Sequence, residues 1–507
     1  MSERKTALLL SLALLFCYAY IFPRWADWNQ NSRLDLTLAI VEQGTFAIDD
    51  YYTNTGDYAV YGGHIYTDKA PGTSFLAVPV YFAFRQVADT PPARALLKRL
   101  SSTEALAATL REGGTGLLEE KVYFAAALYV ATFTTVSLPS ALLGGLLYLS
   151  LGRILESRRR RVVLVLAYGL ATVVFPYSSV FYGHQIAAVF LFAAFVLLYR
   201  MRRGELGLGW LWAVGGLMGL AVLVEFPALF PTAGLGLYAL WFLRERLGTA
   251  NRRGLVAALA RVGLAGLPFA LLLGYYNNAC FGSPFTSSYK YLGKFPEISN
   301  TGFLGFSKPS LEALWGITFS PYRGLFFMSP FLLLALPGFW YGLRDRRWRA
   351  EAVLLLGIVL AQFGLISAWY DWRGGFALGP RNLLITLPFL SVAIAFALRS
   401  WQGRGLALTG GLMLLSFGIT WVISVSGQEL APITIANPLV DFFWPKFARG
   451  DIARNLGMAL GLKSWASLIL PLLVIGGTLW ITCRNAPLGG TVAGRPLRRE
   501  ASPSASP

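Results

Sequence analysis

ALLLSLALLFCYAYIF, at residues 7–22, is an apolar run without a charged side chain, and it decides the class of fold. Arg4 and Lys5 precede the run, and no small-residue cleavage site follows it, only Pro23 and Arg24. A removed secretory signal would end in such a cleavage site, so the pattern predicts a retained first membrane helix. Because basic residues tend to stay in the cytoplasm, the N-terminus is predicted to lie there.

The composition of the whole chain is that of an integral membrane protein. Of its 507 residues, 55% are apolar and 14% are charged, whereas about 25% are charged in a soluble domain. This excludes an ordinary soluble enzyme. At about 20 residues a crossing, the apolar content supplies roughly a dozen membrane spans.

The net charge of +18 comes from 44 Lys and Arg against 26 Asp and Glu. Most of the excess falls in short clusters between apolar runs, where it orients helices, so we predict no nucleic-acid partner. The sequence contains no P-loop and no GxGxxG motif, which argues against a nucleotide-binding domain. Two histidines and three cysteines, two of them in apolar runs, predict neither a zinc site nor a disulfide framework.

Eleven further apolar segments are predicted to span the membrane, which makes twelve spans in an all-α protein. They lie at about 128–152, 162–177, 184–200, 208–223, 227–243, 255–274, 324–342, 352–368, 383–398, 406–424 and 465–482. This topology places every short arginine cluster, such as Arg158 to Arg161, in the cytoplasm. Residues 1–483 are thus predicted to form one polytopic domain, and residues 484–507 a disordered cytoplasmic tail.

Residues 72–88 are predicted not to cross the membrane, because one more crossing would put Arg158 to Arg161 outside. Their apolar run is about a dozen residues long before Arg85, shorter than a span needs. We therefore expect a re-entrant or interface-lying helix, followed by an external insertion at residues 89–120. Four longer segments then lie outside, at about 24–127, 275–323, 369–382 and 425–464, and the chemistry is expected there.

The first external loop, residues 24–127, contains the most informative group of polar residues. Its first half holds six aspartates, of which Asp27 and Asp49 are interpreted as solvated loop charges. Residues 31–43 predict a short amphipathic helix that ends at Gly44. A carboxylate held at the start of such a helix can act as a general base on an acceptor, while nearby cations neutralise a phosphate leaving group.

The run HIYTDKAPG, residues 64–72, supplies such a cation. Lys69 precedes a Pro-Gly turn that opens the next helix, and a helix N-terminus favours anions. The alternative for Lys69 is snorkelling at the membrane surface. Arg33 is a second candidate phosphate ligand, and His64 and Tyr66 are candidates for substrate binding.

Later segments place further candidates on the same face. His184 could bind a sugar hydroxyl or a phosphate, although a histidine with one satisfied hydrogen bond is an equally good interpretation. Glu225 is an acid among apolar residues near membrane depth, which is costly and points to function, with an arginine such as Arg381 or Arg323 as its expected partner.

The segment WYDWRGGFALGPRN begins at residue 369 and brings arginines and aromatic rings together. Arg373 and Arg381 can fork onto phosphate oxygens, and Trp372 can stack on a sugar ring. Arg323 has a similar setting at the start of another span. The alternative is an aromatic belt with anchoring arginines.

These motifs together resemble a known superfamily. An acidic loop after the first helix, an amphipathic segment closed by EQG, the DKAPG turn and LPSALLGGLLYL at residues 138–149 look like the GT-C integral membrane glycosyltransferases. The nearest branch is that of the bacterial protein mannosyltransferases and lipid A aminoarabinose transferases, often described as glycosyltransferase family 39-like. The resemblance implies that Lys69 approaches a lipid phosphate. The acidic pair of that family is replaced here by Asn29 and Gln30.

The resemblance implies a transferase in the bacterial inner membrane with its active site on the periplasmic side. It would pass a sugar from a polyprenyl-phosphate donor to a lipid, glycan or protein acceptor, with inversion. Asp35 is then the predicted catalytic base, with Asp57 and Asp68 as further candidates. No metal ligand set stands out, but some GT-C enzymes use a divalent cation and the aspartate-rich loop could hold one weakly.

Two other functions stay open at the level of the sequence. A lipid or sugar transporter would place charges at the membrane midplane on broken helices and often shows repeats, whereas the charges here gather at one surface. A catalytically inactive scaffold would account for the missing acidic pair.

Overall fold

The computed structural model describes residues 1–24, 27–101, 121–248 and 250–484. Trp25, most of the predicted insertion at 89–120 and all of the predicted tail beyond Arg484 lie outside the described residues.

The described part is helical apart from one short hairpin. Its α-helices are Glu3–Tyr20, Trp28–Gln43, Gly72–Ala88, Pro91–Ser101, Lys121–Thr132, Leu138–Leu151, Arg158–Leu170, Val174–Tyr177, Gly183–Arg202, Leu211–Val224, Leu229–Leu247, Arg252–Phe281, Pro296–Asn300, Leu311–Thr318, Leu325–Met328, Ala335–Arg344, Arg349–Ser367, Leu387–Ser400, Arg404–Val425, Trp444–Ala448, Leu456–Ala459 and Ile469–Cys483. Short 3₁₀ and π turns connect or extend them, among them Tyr52–Asn54, Phe133–Ser137, Leu208–Trp210, Phe226–Ala228, Ser288–Tyr291, Pro330–Leu334, Arg381–Thr386, Leu439–Phe443 and Ser464–Leu468.

The prediction of a multi-pass, all-α membrane fold is confirmed. Eight stretches within the described residues are long and apolar enough to cross a membrane, namely Lys121–Leu151, Gly183–Arg202, Phe226–Leu247, Arg252–Phe281, Arg349–Ser367, Arg381–Ser400, Arg404–Val425 and Ser464–Cys483. The other predicted spans are helical but shorter or less apolar. The number twelve therefore stays a prediction.

One predicted span is broken. Residues 324–342 form three pieces, with an interruption at Ser329 before Pro330. Proline has no N–H to donate and disfavours a helical conformation in the residue before it, which accounts for the break.

The arginine clusters that the charge rule places in the cytoplasm meet at one end of the bundle. Arg161 Nη1 lies 2.8 Å from Glu3 Oε2, and Arg203 Nη2 donates to the carbonyl of Arg347 at 2.8 Å. Arg399 Nη1 lies 2.9 Å from Asp345 Oδ2. The predicted cytoplasmic turns are thus neighbours in space.

The first loop is ordered around the helix Trp28–Gln43, called the loop helix below. Asp27 caps its start by accepting the N–H of Asn29 at 3.1 Å, and Gly44 ends it with φ of 69°. The predicted helix over 31–43 is therefore confirmed at its end and begins three residues earlier. Its apolar residues belong to a second, smaller core beneath the loop, which also contains Tyr81 and Phe181.

A β-hairpin in the first loop was missed by the sequence analysis. Strands Tyr58–Tyr61 and His64–Thr67 pair antiparallel, joined by Gly62 and Gly63 with φ of 61° and 85°. Two glycines with positive φ are the signal of a two-residue hairpin turn. The hairpin leads directly into Asp68 and Lys69, so it positions the charged turn before the helix Gly72–Ala88.

Candidate functional site

A cavity of about 1040 Å³ lies where the first loop meets the ends of several long helices. Its charged lining comes mainly from the loop helix, the turn after the hairpin, the start of Gly183–Arg202, Glu225 and the segment after Ala368. Its apolar lining includes residues of stretches apolar enough to span a membrane: Leu229, Phe230, Leu273, Leu365 and Ile366. The cavity therefore offers charges and a hydrocarbon-like surface to one ligand.

Lys69 sits between two carboxylates. Its Nζ lies 2.8 Å from Asp57 Oδ2 and 3.0 Å from Asp68 Oδ2, and all three side chains line the cavity. Burial alone would lower the pKa of Lys69, but the two carboxylates raise it above its usual value, so the ammonium stays charged. Burial raises the pKa of Asp68 to about 6, against the effect of Lys69. An ammonium has three donors, so one remains for a ligand.

Arg33 is buried and links the loop helix to the neighbouring segments. Its Nε donates to Asn29 Oδ1 at 3.1 Å, and its Nη1 donates to the carbonyl of Ala70 at 3.1 Å and to Thr73 Oγ1 at 3.3 Å. Nη2 lies 3.4 Å from Glu225 Oε2. Its donors are largely used inside the protein, so Arg33 ties the Lys69 turn to the loop helix.

Glu225 and His184 form a pair at the wall of the cavity. His184 Nδ1 lies 2.6 Å from Glu225 Oε2, and both side chains are buried and line the cavity. His184 stands in the first turn of Gly183–Arg202, and Glu225 stands at the break between two helices. The expected arginine partner of Glu225 is Arg33, not Arg323, and Arg381 is near enough to act on its charge.

Asp27 is not a solvated loop charge, and that interpretation was wrong. Its carboxylate is buried and accepts the hydroxyl of Tyr182, with oxygen distances of 2.7 and 2.8 Å. Arg381 Nη1 donates to the same hydroxyl at 3.3 Å. Burial raises the pKa of Asp27 to about 6, while Tyr182 and Arg381 oppose the rise. The N-cap position ahead of the loop helix was the sequence signal for an ordered Asp27.

Arg381 is a lining guanidinium with free donors. Its Nη1 bonds Tyr182, and its buried Nε has no hydrogen-bond partner within the described ranges. A buried guanidinium with unused donors is costly, which marks Arg381 as a candidate ligand for an anion.

Arg323 holds the backbone of the segment after Ala368 in place. Arg323 donates to the carbonyls of Arg373, Gly375 and Ala377 at 3.2, 2.8 and 2.6 Å. It does not line the cavity. The prediction of Arg323 as a phosphate ligand is therefore corrected, because its guanidinium is spent on the backbone of this segment.

Trp372 also lies outside the cavity lining, which corrects its prediction as a substrate-binding residue. It packs edge-on to Tyr322, with ring centroids 6.5 Å apart, and against Gly316. Arg373 lines the cavity, but its exposed Nη2 pairs with Glu312 at 2.7 Å. Asp371 lines the cavity too, and burial raises its pKa while Arg381 opposes the rise.

Asp35, His64 and Tyr66 are not brought to the cavity. Asp35 is fully buried on another face of the loop helix, where it accepts Asn54 Nδ2 at 2.9 Å. His64 is exposed on the hairpin, with Nδ1 2.7 Å from Asp49 Oδ2, and Tyr66 packs against Phe281. These residues belong to the same loop as Lys69, but the loop helix and the hairpin direct their side chains away from the cavity.

No group of three or more His, Cys, Asp or Glu within the described ranges could hold a metal ion. Asp57 and Asp68 share the ammonium of Lys69 instead. A weakly bound divalent cation at the aspartate-rich loop stays a prediction.

No family model and no curated protein matches the chain. Among solved structures, it is similar to the crystal structure of ArnT from Cupriavidus metallidurans in the apo state, with a TM-score of 0.50 and 15% sequence identity over 94% of this chain and 72% of that one. The chain has the GT-C fold. The structure of the same ArnT bound to undecaprenyl phosphate gives a TM-score of 0.46, with 17% identity over 94% and 73% of the two chains.

The GT-C fold expected from the sequence is thereby confirmed, and the likeness is one of fold alone. Within this GT-C fold, the two positions that lack the acidic pair are structural. Asn29 accepts a hydrogen bond from Arg33, and Gln30 donates to the carbonyl of Arg24. The acids of the cavity come from other positions of the loop, Asp27, Asp57 and Asp68, and from later segments, such as Glu225 and Asp371.

Proposed function

We propose that this chain is a membrane glycosyltransferase. It passes a sugar from a polyprenyl-phosphate donor to a lipid, glycan or protein acceptor, on the extracytoplasmic face of a bacterial inner membrane. The observation that carries the proposal is the cavity itself, because charged side chains and apolar residues of membrane-spanning helices line the same space. A polyprenyl phosphate combines one anionic group with one long hydrocarbon chain, and it needs both kinds of lining.

The donor phosphate binds Arg381 and Lys69. Arg381 has free donors in a buried setting, and Lys69 keeps one donor beyond its two carboxylate contacts. Both cations stabilise the negative charge that develops on the phosphate as the sugar leaves. Asp57 and Asp68 keep the Lys69 ammonium charged and fixed, and Arg33 fixes the turn that carries it. Arg373, paired with Glu312, contributes less.

The hydrocarbon chain lies along the apolar lining. Leu229 and Phe230 are about half exposed, at 55% and 48%, and both lie in a helix that can span the membrane. A lipid donor can thus enter from the bilayer with its chain against these residues. The sugar is transferred on the phosphate side, where the acids and His184 lie.

The test is transfer of radiolabelled sugar from a panel of polyprenyl-phosphate sugars by the purified protein in lipid nanodiscs. We expect Arg381→Gln and Lys69→Ala each to slow transfer by about 10²-fold or more, the usual effect of removing one donor from a developing anion. Asp35→Asn is the matched control, because this buried carboxylate lies outside the cavity, and it should transfer at close to the wild-type rate.

Two outcomes contradict the proposal. If the wild type transfers no sugar from any donor but moves an intact lipid-linked sugar between leaflets of a vesicle, the protein is a transporter. If Arg381→Gln and Lys69→Ala both transfer as fast as Asp35→Asn, the phosphate does not bind at this cavity.

A further inference from the structure

One proton acceptor on the cavity wall is left without a partner. His184 Nδ1 lies 2.6 Å from Glu225 Oε2 as an ion-pair contact, and both ring nitrogens are buried without a hydrogen bond within the described residues. His184 lines the cavity and is 5% exposed. When the neutral ring carries its hydrogen on Nδ1, the nitrogen beside the Glu225 carboxylate, Nε2 carries the free lone pair.

The pair is held rigidly. Gly183 approaches the break between the helices Leu211–Val224 and Leu229–Leu247 so closely that a Cβ there would lie 2.5 Å from the Val224 carbonyl and 2.8 Å from Glu225 Oε2. Arg33 lies on the same carboxylate oxygen at 3.4 Å. The start of the helix Gly183–Arg202 and the guanidinium of Arg33 therefore hold the Glu225 carboxylate in place. That carboxylate in turn holds the His184 ring.

The carboxylates near the phosphate ligands are committed elsewhere, and among them Asp371 accepts a backbone N–H from Gly375. Asp57 and Asp68 share Lys69, so protonation of either would break a buried ion pair. Asp27 accepts the Tyr182 hydroxyl and an N–H of the loop helix, so protonation would weaken a helix cap. Protonation of His184 instead forms a new ion pair with Glu225.

We propose that His184 is the catalytic base of the transfer and that Glu225 is its positioning residue, an inference that rests on the proposed function. The O–H bond of the acceptor breaks and its proton moves to Nε2. The acceptor oxygen bonds to the anomeric carbon, and the bond from that carbon to the phosphate oxygen breaks with its electron pair on the leaving phosphate. The imidazolium then gives its proton to water or to the departing phosphate.

Four charged or titratable groups face the ring. Glu225 stabilises the imidazolium, whereas the positive charges of Arg33 and Arg381 oppose it. Tyr182 lies edge-on to the ring, with centroids 6.0 Å apart, and its hydroxyl is bound to Asp27. The carboxylate of Glu225 is thus the group whose removal should alter the pH dependence most.

The experiment measures single-turnover transfer by the protein in nanodiscs, with the donor sugar that the wild type uses, and binding of undecaprenyl phosphate to the same samples. His184→Gln should slow transfer by about 10²-fold or more, as expected for loss of a general base. Its dissociation constant for undecaprenyl phosphate should change by less than about threefold, well under the tenfold that 1.4 kcal/mol represents.

The pH profile separates a positioning role from a structural one. The transfer rate of the wild type should fall as acid protonates His184. In Glu225→Gln this fall should move to lower pH by roughly one unit, because the imidazolium loses its counter-charge. Added imidazole should restore part of the activity of His184→Ala.

The chain supplies a matched control, because His64 and Asp49 form a second acid–histidine pair outside the cavity. His64→Gln and Asp49→Asn should leave both the rate and the pH profile unchanged. Transfer by His184→Gln at the rate of His64→Gln, or a loss of undecaprenyl phosphate binding in proportion to the rate, overturns the inference while the proposed function stands. A wild type without any transfer overturns both.

Discussion

Asp35 lies in the middle of the loop helix, fully buried, with Asn54 as its hydrogen-bond donor. Burial raises its pKa well above the usual value. At a pH above the unfolded value the unfolded chain releases this proton while the folded chain holds it, so stability falls as pH rises. The buried carboxyl therefore destabilises the fold at neutral pH. Asp35→Asn removes this destabilisation and keeps an oxygen for Asn54.

We therefore expect Asp35→Asn to have a higher apparent Tm than the wild type at pH 7.5. The gain should shrink as the pH falls to about 4, the pKa of an unfolded aspartate, and vanish below it, where the carboxyl is protonated in both states. The measurement is thermal unfolding in detergent at several pH values. Asp49→Asn, at an exposed carboxylate, is the control and should show no such trend. A lower Tm for Asp35→Asn at pH 7.5 would show that the ionised carboxylate stabilises the fold.

The charge pattern of the sequence was enough to find part of the candidate site. Lys69, Arg381, His184 and Glu225 are charged or titratable residues at the ends of apolar runs, and all four line one cavity. Asp27 was misjudged because its burial depends on Tyr182, which is 155 residues away in the chain. The periodicity of a helix indicates its apolar face, but it cannot tell which polar residue meets a cavity formed by distant segments.

At the scale of elements, apolar periodicity predicted the long helices well, because a membrane helix satisfies its own backbone hydrogen bonds within one segment. The loop helix ended at Gly44 as predicted, because only a residue that tolerates positive φ completes this cap easily. The break before Pro330 and the hairpin at Gly62 and Gly63 were missed. Each of these two features is determined by turn residues within a longer stretch of the sequence, and the hydrophobic pattern of that stretch does not reveal it.

The start of the helix Gly72–Ala88 is packed against the end of Leu211–Val224. A Cβ on Gly72 would lie 2.6 Å from the Leu223 carbonyl oxygen and 2.7 Å from the Val224 nitrogen, both backbone atoms. Gly72→Ala must therefore push the two elements apart, at a cost of about 1–3 kcal/mol. We expect a lower apparent Tm and, because Lys69 precedes this helix start, slower sugar transfer.

Gly236 is the matched control for Gly72. It also lies in a helix, Leu229–Leu247, but a Cβ there would meet nothing within 4 Å. Gly236→Ala should leave transfer unchanged and hold or raise the Tm, because alanine favours a helix over glycine by up to about 1 kcal/mol. Equal Tm values for Gly72→Ala and Gly236→Ala would mean that the close approach at Gly72 does not constrain the fold.

At the scale of the molecule, charge divides the two ends of the bundle. Arginine clusters from distant turns meet at one end, and Glu3 is among their acidic partners. The cavity with its acids, Lys69 and Arg381 lies where the first loop covers the helix ends. The rule that basic turns stay in the cytoplasm then predicts that the cavity lies on the extracytoplasmic side. A lipid-linked donor needs this asymmetry, because it is presented at one leaflet.

This orientation can be tested with single cysteines at two exposed positions, Lys308 and Arg346. Lys308 follows Phe306 and Ser307, which line the cavity, and Arg346 lies among the arginine clusters. In a chain whose three native cysteines are replaced, Lys308→Cys should react with a membrane-impermeant maleimide added to intact cells. Arg346→Cys should react only after the membrane is opened. The reverse pattern would put the cavity in the cytoplasm, and labelling of both in intact cells would contradict a single orientation, since the two positions would then share one side of the membrane.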